Sequence, residues 1–186
     1  MEIRPLSSQH LAQLADIDAT IHSTQYLHLE RTGDGLELSL NTQIRPLRDK
    51  LIEPNRLDDE LVLLYRQIVG GADEGLALGV EHAGRFAASA LAHPHPQFRT
   101  MYLADVRVDF DFRRQGLGTA LVFQIIQSAR ERGLRAVSAE VRTNNHPANA
   151  FLLKSGFDLS GIDMRRSTNH DMVKESTTLF WYAEVE

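Results

Sequence analysis

Hydrophobic residues recur at helical intervals in the first part of the chain. A short alternating stretch over residues 2–6 predicts a strand, and the apolar positions behind it predict a helix; they are Leu11, Leu14, Ile17 and Ile21. Residues 58–68 repeat the helical spacing, and the glycine pair that follows ends the second predicted helix. Residues 23–55 have no sustained period and predict only a turn at 33–35.

The period then changes to two, which is typical of strands. Residues 76–81, 85–91 and 101–109 predict three consecutive strands, and the tight turn at Ala83-Gly84 favours an antiparallel meander. The connection before the third strand contains two prolines, Pro94 and Pro96, and predicts a loop.

Helices and strands alternate over the rest of the chain. A helical stripe predicts a helix that ends near Gly133; its members are Leu117, Leu121, Ile125 and Ala129. A strand over 134–142 and a short helix opening at Pro147 come next. Strands over 157–163 and 176–184 close the chain, so the order of elements is that of an α/β protein.

Composition narrows the range of partners. The 186 residues suffice for one well-buried domain, 1–186, and a net charge of -5 argues against a nucleic-acid or anionic-membrane binder and favours a cationic partner. Cysteine is absent, which excludes disulfides and thiolate catalysis. No stretch approaches the roughly 18 apolar residues of a membrane span, so we expect a cytoplasmic protein. His93 and His95 lack an evident third ligand, and we expect no metal site.

The most specific chemical signal is the run Arg113-Arg114-Gln115-Gly116-Leu117-Gly118-Thr119 between a predicted strand and a predicted helix. This order directs free backbone N–H groups and the positive helix end at one point, which suits a phosphate. The two arginines add cationic donors and the threonine adds a hydroxyl. The loop lacks the lysine of a Walker A motif, and Leu121 replaces the third glycine of a dinucleotide loop. The run therefore predicts a phosphate or pyrophosphate site of another kind.

These residues resemble the GNAT superfamily of acyl-CoA-dependent N-acetyltransferases. The family loop, Gln/Arg-x-x-Gly-x-Gly/Ala, is matched by Arg113, Gly116 and Gly118, and a second motif, Asn-x-x-Ala with Gly-Phe eight residues later, is matched by Asn145, Ala148 and Gly156-Phe157. The specific resemblance spans 102–157. It implies a mixed, twisted sheet of about six to seven strands with helices on both faces. The spacing of Gly161-Ile162-Asp163, Glu175 and Trp181-Tyr182 is similar to that of streptothricin acetyltransferases.

The resemblance implies a binding site for acetyl-CoA as cosubstrate. Backbone groups of Val106 and Val108 would bind the acetyl and pantetheine portions, and Asn145 the pantetheine arm. The pyrophosphate would be bound by the glycine loop, with the arginines at its mouth; the loop residues are Arg113, Arg114, Gln115, Gly116, Gly118 and Thr119.

The implied reaction is attack of an amine on the thioester, and it requires a base. Deprotonating an amine with a pKa near 10.4 costs roughly 4 to 5 kcal/mol at pH 7. Asp105 and Glu140 are the candidates, and Asp105 shares its strand face with Arg107, which would weaken it as a base. The family tyrosine that protonates the thiolate, four residues before Gly-Phe, is Leu152 here. Tyr182 is the substitute that we include in the catalytic set, and Tyr102 is a further candidate.

The expected function is acetyl-CoA-dependent N-acetylation of a primary amine on a small, cationic molecule. Three acidic residues near the end of the chain would form a rim for that substrate: Asp163, Asp171 and Glu175. A peptide or protein amine is the alternative acceptor. A non-catalytic acyl-CoA-binding module is the alternative class, because Leu152 cannot donate a proton, and a homodimer is left open.

Overall fold

The computed structural model of the protein describes residues 2–185. Its strands are β1 Ile3–Pro5, β2 Ile21–Asp34, β3 Glu37–Glu53, β4 Leu76–His82, β5 Arg85–His95, β6 Thr100–Val108, β7 Ala136–Arg142, β8 Asp158–Asp163 and β9 Thr178–Glu184. Its α-helices are α1 Asp59–Val69, α2 Leu117–Glu131 and α3 His146–Lys154, and 3-10 helices cover Ser8–Asp16, Pro96–Phe98 and Phe110–Phe112.

Seven strands form one mixed sheet in the order β1-β4-β5-β6-β7-β9-β8. The pair β6–β7 is parallel, and the other neighbouring strands in this sheet are antiparallel. The predicted meander is confirmed as β4-β5-β6. The loop predicted around Pro94 begins later than expected, because β5 continues through that proline to His95.

Helices cover both faces of the sheet, as the resemblance implies. On one face α2 and α3 bury Leu121, Ile125 and Leu152 in the larger core. On the other, α1 and the first 3-10 helix bury Tyr65 and Leu14 in a second cluster. Within residues 2–185, none of the helices is both long and apolar enough to cross a membrane.

A long hairpin occupies the region whose structure the sequence did not predict. Strands β2 and β3 pair from Ile21↔Glu53 to Asp34↔Glu37 and form a separate two-stranded sheet. The turn expected at 33–35 is confirmed to within one residue, since the chain turns at Gly35 and Leu36. The prediction that Ile21 belongs to the first helix is wrong, because that residue begins β2.

The sheet opens between β6 and β7. These strands pair only from Thr100↔Ala136 to Tyr102↔Ser138, although both continue beyond this point, to Val108 and Arg142. A register shift against β5 leaves Ala104 as an extra residue just past the last of these pairs. Bulges bend a strand and redirect its side chains. The result is a split whose β6 edge has backbone groups without a strand partner.

Candidate active site

A cleft of about 1170 Å³ lies at the split in the sheet. Its walls come from the C-terminal half of β6, the end of β7, the turn into α2, much of α3 and the start of β2. Most of the predicted site residues line it: Asp105, Val106, Val108, Arg113, Arg114, Gly116, Gly118, Thr119, Glu140 and Asn145. Gln115 and Tyr182 are not among the lining residues.

The N-terminus of α2 opens into this cleft. Gly116 caps the 15-residue helix with φ at 83°, and its carbonyl accepts the N–H of Ala120 at 2.9 Å as an early bond of the helix. The N–H groups of Leu117, Gly118 and Thr119 therefore lack partners within the helix. Together with the positive helix end, they form a site suited to an anion.

Glycine is required at the two loop positions for different physical reasons. Gly116 requires its left-handed conformation, and a Cβ there would meet open space. A Cβ on Gly118 would lie 3.2 Å from Cε2 of Phe151 and 3.5 Å from Cγ2 of Val108. Sequence reasoning assigned both glycines to ligand access, whereas Gly118 also allows α2 to pack closely against α3.

The two arginines of the loop also differ. The guanidinium of Arg113 donates to the backbone oxygens of Val108 at 3.2 Å and Thr20 at 2.8 Å, so this side chain braces the loop against the start of the hairpin. Arg114 has φ at 64° and is exposed, and its side chain forms no hydrogen bond or ion pair within residues 2–185. Of the two, Arg114 is the one available to a ligand. The side chain of Gln115 donates to the carbonyl of Asp111 instead.

Asn145 joins α3 to the cleft. Its side-chain oxygen accepts the N–H of Ala148 at 3.3 Å and caps the helix. Its amide nitrogen has no hydrogen-bond acceptor within the part of the chain that the structure describes, and the residue lines the cleft. A donor is thus available beside the split.

Asp105 is held by a buried network. The guanidinium of Arg107 donates to both carboxylate oxygens, at 2.6 and 3.0 Å, and the Tyr65 hydroxyl donates at 2.9 Å. The side chain of Asp105 is 6% exposed and that of Arg107 is 1% exposed. Burial, followed by the charge of Asp105, raises the pKa of Tyr65 well above its ordinary value. The predicted shared face with Arg107 is confirmed, and a carboxylate that already accepts three hydrogen bonds is poorly placed to take a proton.

Glu140 is the more accessible carboxylate. It lies near the end of β7, lines the cleft, and has a side chain that is 24% exposed. Arg166 is its ion-pair partner, with Nη2 at 3.1 Å from Oε2 and 3.2 Å from Oε1. Both oxygens contact this one nitrogen, and each keeps a further lone pair that can accept from an incoming amine.

Neither candidate tyrosine reaches the cleft lining. Tyr182 lies on β9 opposite Ser138, and the guanidinium carbon of Arg135 is 5.7 Å from the centre of its ring. The catalytic role of Tyr182 stays a prediction. Burial, followed by the charge of Glu140, raises the pKa of Tyr102 to about 12. Leu152 is 3% exposed and lines the cleft as a core residue.

Two histidines that were outside the predicted site set line the cleft. His22 comes from β2, and His146 is the first residue of α3. His22 lies just before the region without a sustained period, so its sequence context carried no signal. The signal for His146 is its position directly after Asn145 in the second motif.

The predicted acidic rim does not line the cleft. Asp171 is 1% exposed and accepts the N–H groups of Ser167 and Thr168 at 2.8 and 2.9 Å, so the expectation that it faces substrate is wrong. These bonds, that of Ser167 first, hold the pKa of its carboxyl below the ordinary value. Glu175 accepts the N–H of Arg48 at 3.3 Å and packs against the hairpin.

Histidines 93 and 95 lie side by side, with ring centres 4.9 Å apart. In the described range 2–185, no group of three or more histidine, cysteine, aspartate or glutamate side chains is arranged to hold a metal ion.

Comparisons with known sequences match this chain to acetyltransferases. The model of the Acetyltransferase (GNAT) family matches residues 42–157. The chain is 35% identical over 79 residues to the [Ribosomal protein bS18]-alanine N-acetyltransferase of Escherichia coli K12, which covers 42% of this chain and 52% of that protein. It is 30% identical over 80 residues to Streptothricin acetyltransferase A of Bacillus subtilis, covering 43% and 46%. The chain spans about half the length of these curated relatives.

Solved structures agree over the whole chain. Nourseothricin acetyltransferase has a TM-score of 0.77 at 20% identity, with 100% of this chain and 98% of that one covered. A protein described as a streptothricin acetyltransferase of Bacillus anthracis str. Ames, solved with acetyl coenzyme A, has a TM-score of 0.80 at 18% identity, with 100% and 97% covered. At these identities the likeness establishes the fold. Because the family model covers more than half of its residues, this chain belongs to the GNAT acetyltransferase family.

Proposed function

We propose that the protein is an acetyl-CoA-dependent N-acetyltransferase that acetylates a primary amine of a small, cationic molecule. One observation carries the proposal: the anion-binding end of α2 and the carboxylate of Glu140 open into the same cleft. A cosubstrate with a pyrophosphate and a reactive acyl group needs both kinds of surface.

The residues present fit acetyl-CoA. The N–H groups of Leu117, Gly118 and Thr119, with Arg114 beside them, suit the pyrophosphate. The β6 edge at the split exposes backbone groups to the pantetheine arm, as expected for Val106 and Val108, and Asn145 has a free amide donor. When bound, acetyl-CoA supplies an activated acetyl thioester.

Glu140 is the base in this proposal. The acceptor arrives as an ammonium, and the carboxylate accepts the proton that must leave before nitrogen can attack. The alternative, Asp105, is saturated by Arg107 and Tyr65. Because Leu152 replaces the family tyrosine, the proton for the departing thiolate must come from another residue or from water.

A small cationic acceptor is favoured by the net charge of -5. The inner end of the hairpin lies beside the split, where Glu53 forms an ion pair with Arg142 at 2.7 Å and, just after the hairpin, the carbonyl of Asn55 accepts from Arg107 at 3.1 Å. The curated relatives act on acceptors of two classes, streptothricin and the alanine of ribosomal protein bS18. A peptide amine is therefore the second candidate.

A thiol-release screen tests the function. The protein is mixed with acetyl-CoA and, in turn, with streptothricin, aminoglycosides, polyamines, amino acids and a peptide with N-terminal alanine. We expect turnover with small cationic amines. Turnover confined to the peptide would select the second acceptor class, and CoA binding with no turnover on any amine would identify a binding module.

The loop glycine Gly116 provides a test of the cosubstrate site. Valine at this position must adopt φ near 83°, which costs roughly 1 to 2 kcal/mol, or else abandon the conformation that exposes the N–H groups. We expect the Kd for CoA, measured by calorimetry, to rise at least about tenfold. Gly71→Val is the matched control, because Gly71 also has a positive φ, at 74°, with open space around it and lies outside the cleft. An unchanged Kd in Gly116→Val would contradict the assignment.

A further inference from the structure

Three rings beside the candidate base have no role in the chemistry described above. His95 is stacked on Tyr102, with ring centres 5.1 Å apart and 5° between the planes. His93 stands edge-on to both rings, at 4.9 and 5.6 Å. All three side chains are partly exposed, so a ligand has access to them.

The rings share a sheet face with Glu140. His93 pairs with Tyr102 across β5 and β6, and Tyr102 pairs with Ser138 across β6 and β7. Glu140 lies two residues further along β7, which corresponds to about 7 Å along the strand and returns to the same face. The rings lie outside the cleft lining, so an acceptor whose amine contacts Glu140 reaches them by extending along this sheet face.

The chemistry of the rings favours a planar cation. The His95 ring and the Tyr102 hydroxyl form no hydrogen bond within residues 2–185 and are available to a ligand. Burial and the neighbouring His95 lower the pKa of His93, so its imidazole is neutral at pH 7 and offers an acceptor nitrogen. The charge of Glu140 acts on Tyr102 and that of Asp73 on His93, so a carboxylate lies near each end of the group. The charge of Arg166 also acts on Tyr102, and this arginine is paired with Glu140.

Two arginines on this side of the sheet already have partners. Arg166 pairs with Glu140, and Arg135 lies over the ring of Tyr182. The ring faces of His95 and Tyr102 carry no cation of the protein within the described range. Aromatic faces attract guanidinium groups, which also donate several hydrogen bonds in one plane.

We propose that His93, His95 and Tyr102, here called the aromatic ledge, bind a guanidinium group of an acceptor whose primary amine reaches Glu140. The acceptor class is thus an amine joined to a guanidinium by a chain of about four carbons. This inference rests on the proposed function for the identity of the reaction, and on the ring geometry for the ligand.

A pair of matched amines tests the ledge. Agmatine carries a primary amine and a guanidinium, and n-butylamine carries the amine alone. We expect the wild-type kcat/KM to be at least about tenfold higher for agmatine, and the ratio to fall to within about twofold of one in His95→Ala. His10→Ala is the control, because its ring also packs against an aromatic ring, that of Phe86 at 5.2 Å, outside the cleft. It should keep the wild-type ratio. A dipeptide containing arginine, used in a third arm, separates a free guanidino amine from a peptide that bears the same group.

A titration without turnover separates the two proposals. Imidazole proton signals of His93 and His95, assigned with His→Ala variants, should shift saturably with agmatine and not with n-butylamine. Shifts without any acetylation would support the ledge and overturn the proposed function. Acetylation of both amines with equal efficiency, unaltered in His95→Ala and without histidine shifts, would overturn the ledge and leave the proposed function standing.

Discussion

Replacing Glu140 by glutamine is expected to lower kcat/KM for the acceptor amine by about two to four orders of magnitude, the usual contribution of a positioned base. The amide keeps the size of the side chain but cannot accept the proton of the ammonium. Steady-state kinetics should show this loss while the Kd for acetyl-CoA stays unchanged. The deficit should shrink as the pH approaches the amine pKa, about 10.4, because the free amine no longer needs a base.

The control for this substitution is Glu53→Gln. Glu53 also forms an ion pair with an arginine, Arg142 of β7, and it does not line the cleft. We expect its kcat to remain near that of the wild type. If Glu140→Gln retained kcat/KM within about threefold at pH 7, Glu140 would not be the base.

Replacing Arg107 by leucine is expected to lower the free energy of unfolding by about 3 to 5 kcal/mol, the typical cost of breaking a buried ion pair from one side. Asp105 would remain in a nearly solvent-free position with its bidentate partner removed and Tyr65 as its remaining side-chain donor. Denaturant unfolding measures the change. The link from Arg107 to the carbonyl of Asn55 would also be lost.

Two further variants serve as controls for the loss of stability expected in Arg107→Leu. The double variant Asp105→Leu, Arg107→Leu should be less destabilised than Arg107→Leu alone, because it leaves no buried charge without a partner. Arg4→Leu breaks the exposed pair with Glu81, at 3.9 Å, and should cost about 0 to 1 kcal/mol. Equal losses of unfolding free energy in all three variants would show that a buried charge left without its partner costs no more than a broken exposed ion pair.

Substitution of Asp105 by asparagine separates structure from catalysis. If Asp105 serves the fold, Asp105→Asn should lose stability while the surviving folded protein keeps most of its kcat. A stable variant with kcat reduced a hundredfold or more would instead return Asp105 to the role of base.

Elements with one buried face were predictable. The helices α1 and α2 have a clean period, because one face of each packs into a core. In the meander, β6 alternates between buried and partly exposed residues, whereas β4 and β5 are buried on both faces and were predictable as apolar runs that end at turns. The outer hairpin has no such face: residues 30–39 are exposed on both strand faces, and β3 even includes Pro46. Its hydrophobic pattern, a brief alternation at Leu36, Leu38 and Leu40, was therefore too short to predict two long strands.

The same distinction applies to the candidate site, where features formed by neighbouring residues were predictable and those formed by distant contacts were not. The glycine loop could be recognised, because its function depends on residues adjacent in sequence. The use of Arg113 could not, since its partner Thr20 lies 93 positions away. Tyr182 has suitable chemistry, but its distance from the cleft follows from where β6 and β7 separate, which neither strand reveals alone.

The separation of β6 and β7 also leaves few backbone links between the two halves of the sheet. Three residue pairs join the block β1-β4-β5-β6 to the block β7-β9-β8, so the sheet has a seam across its middle. A molecule lying in the seam contacts both blocks, and its binding free energy adds to what holds them together. Occupancy of the cleft and cooperative unfolding of the two blocks are therefore expected to be coupled.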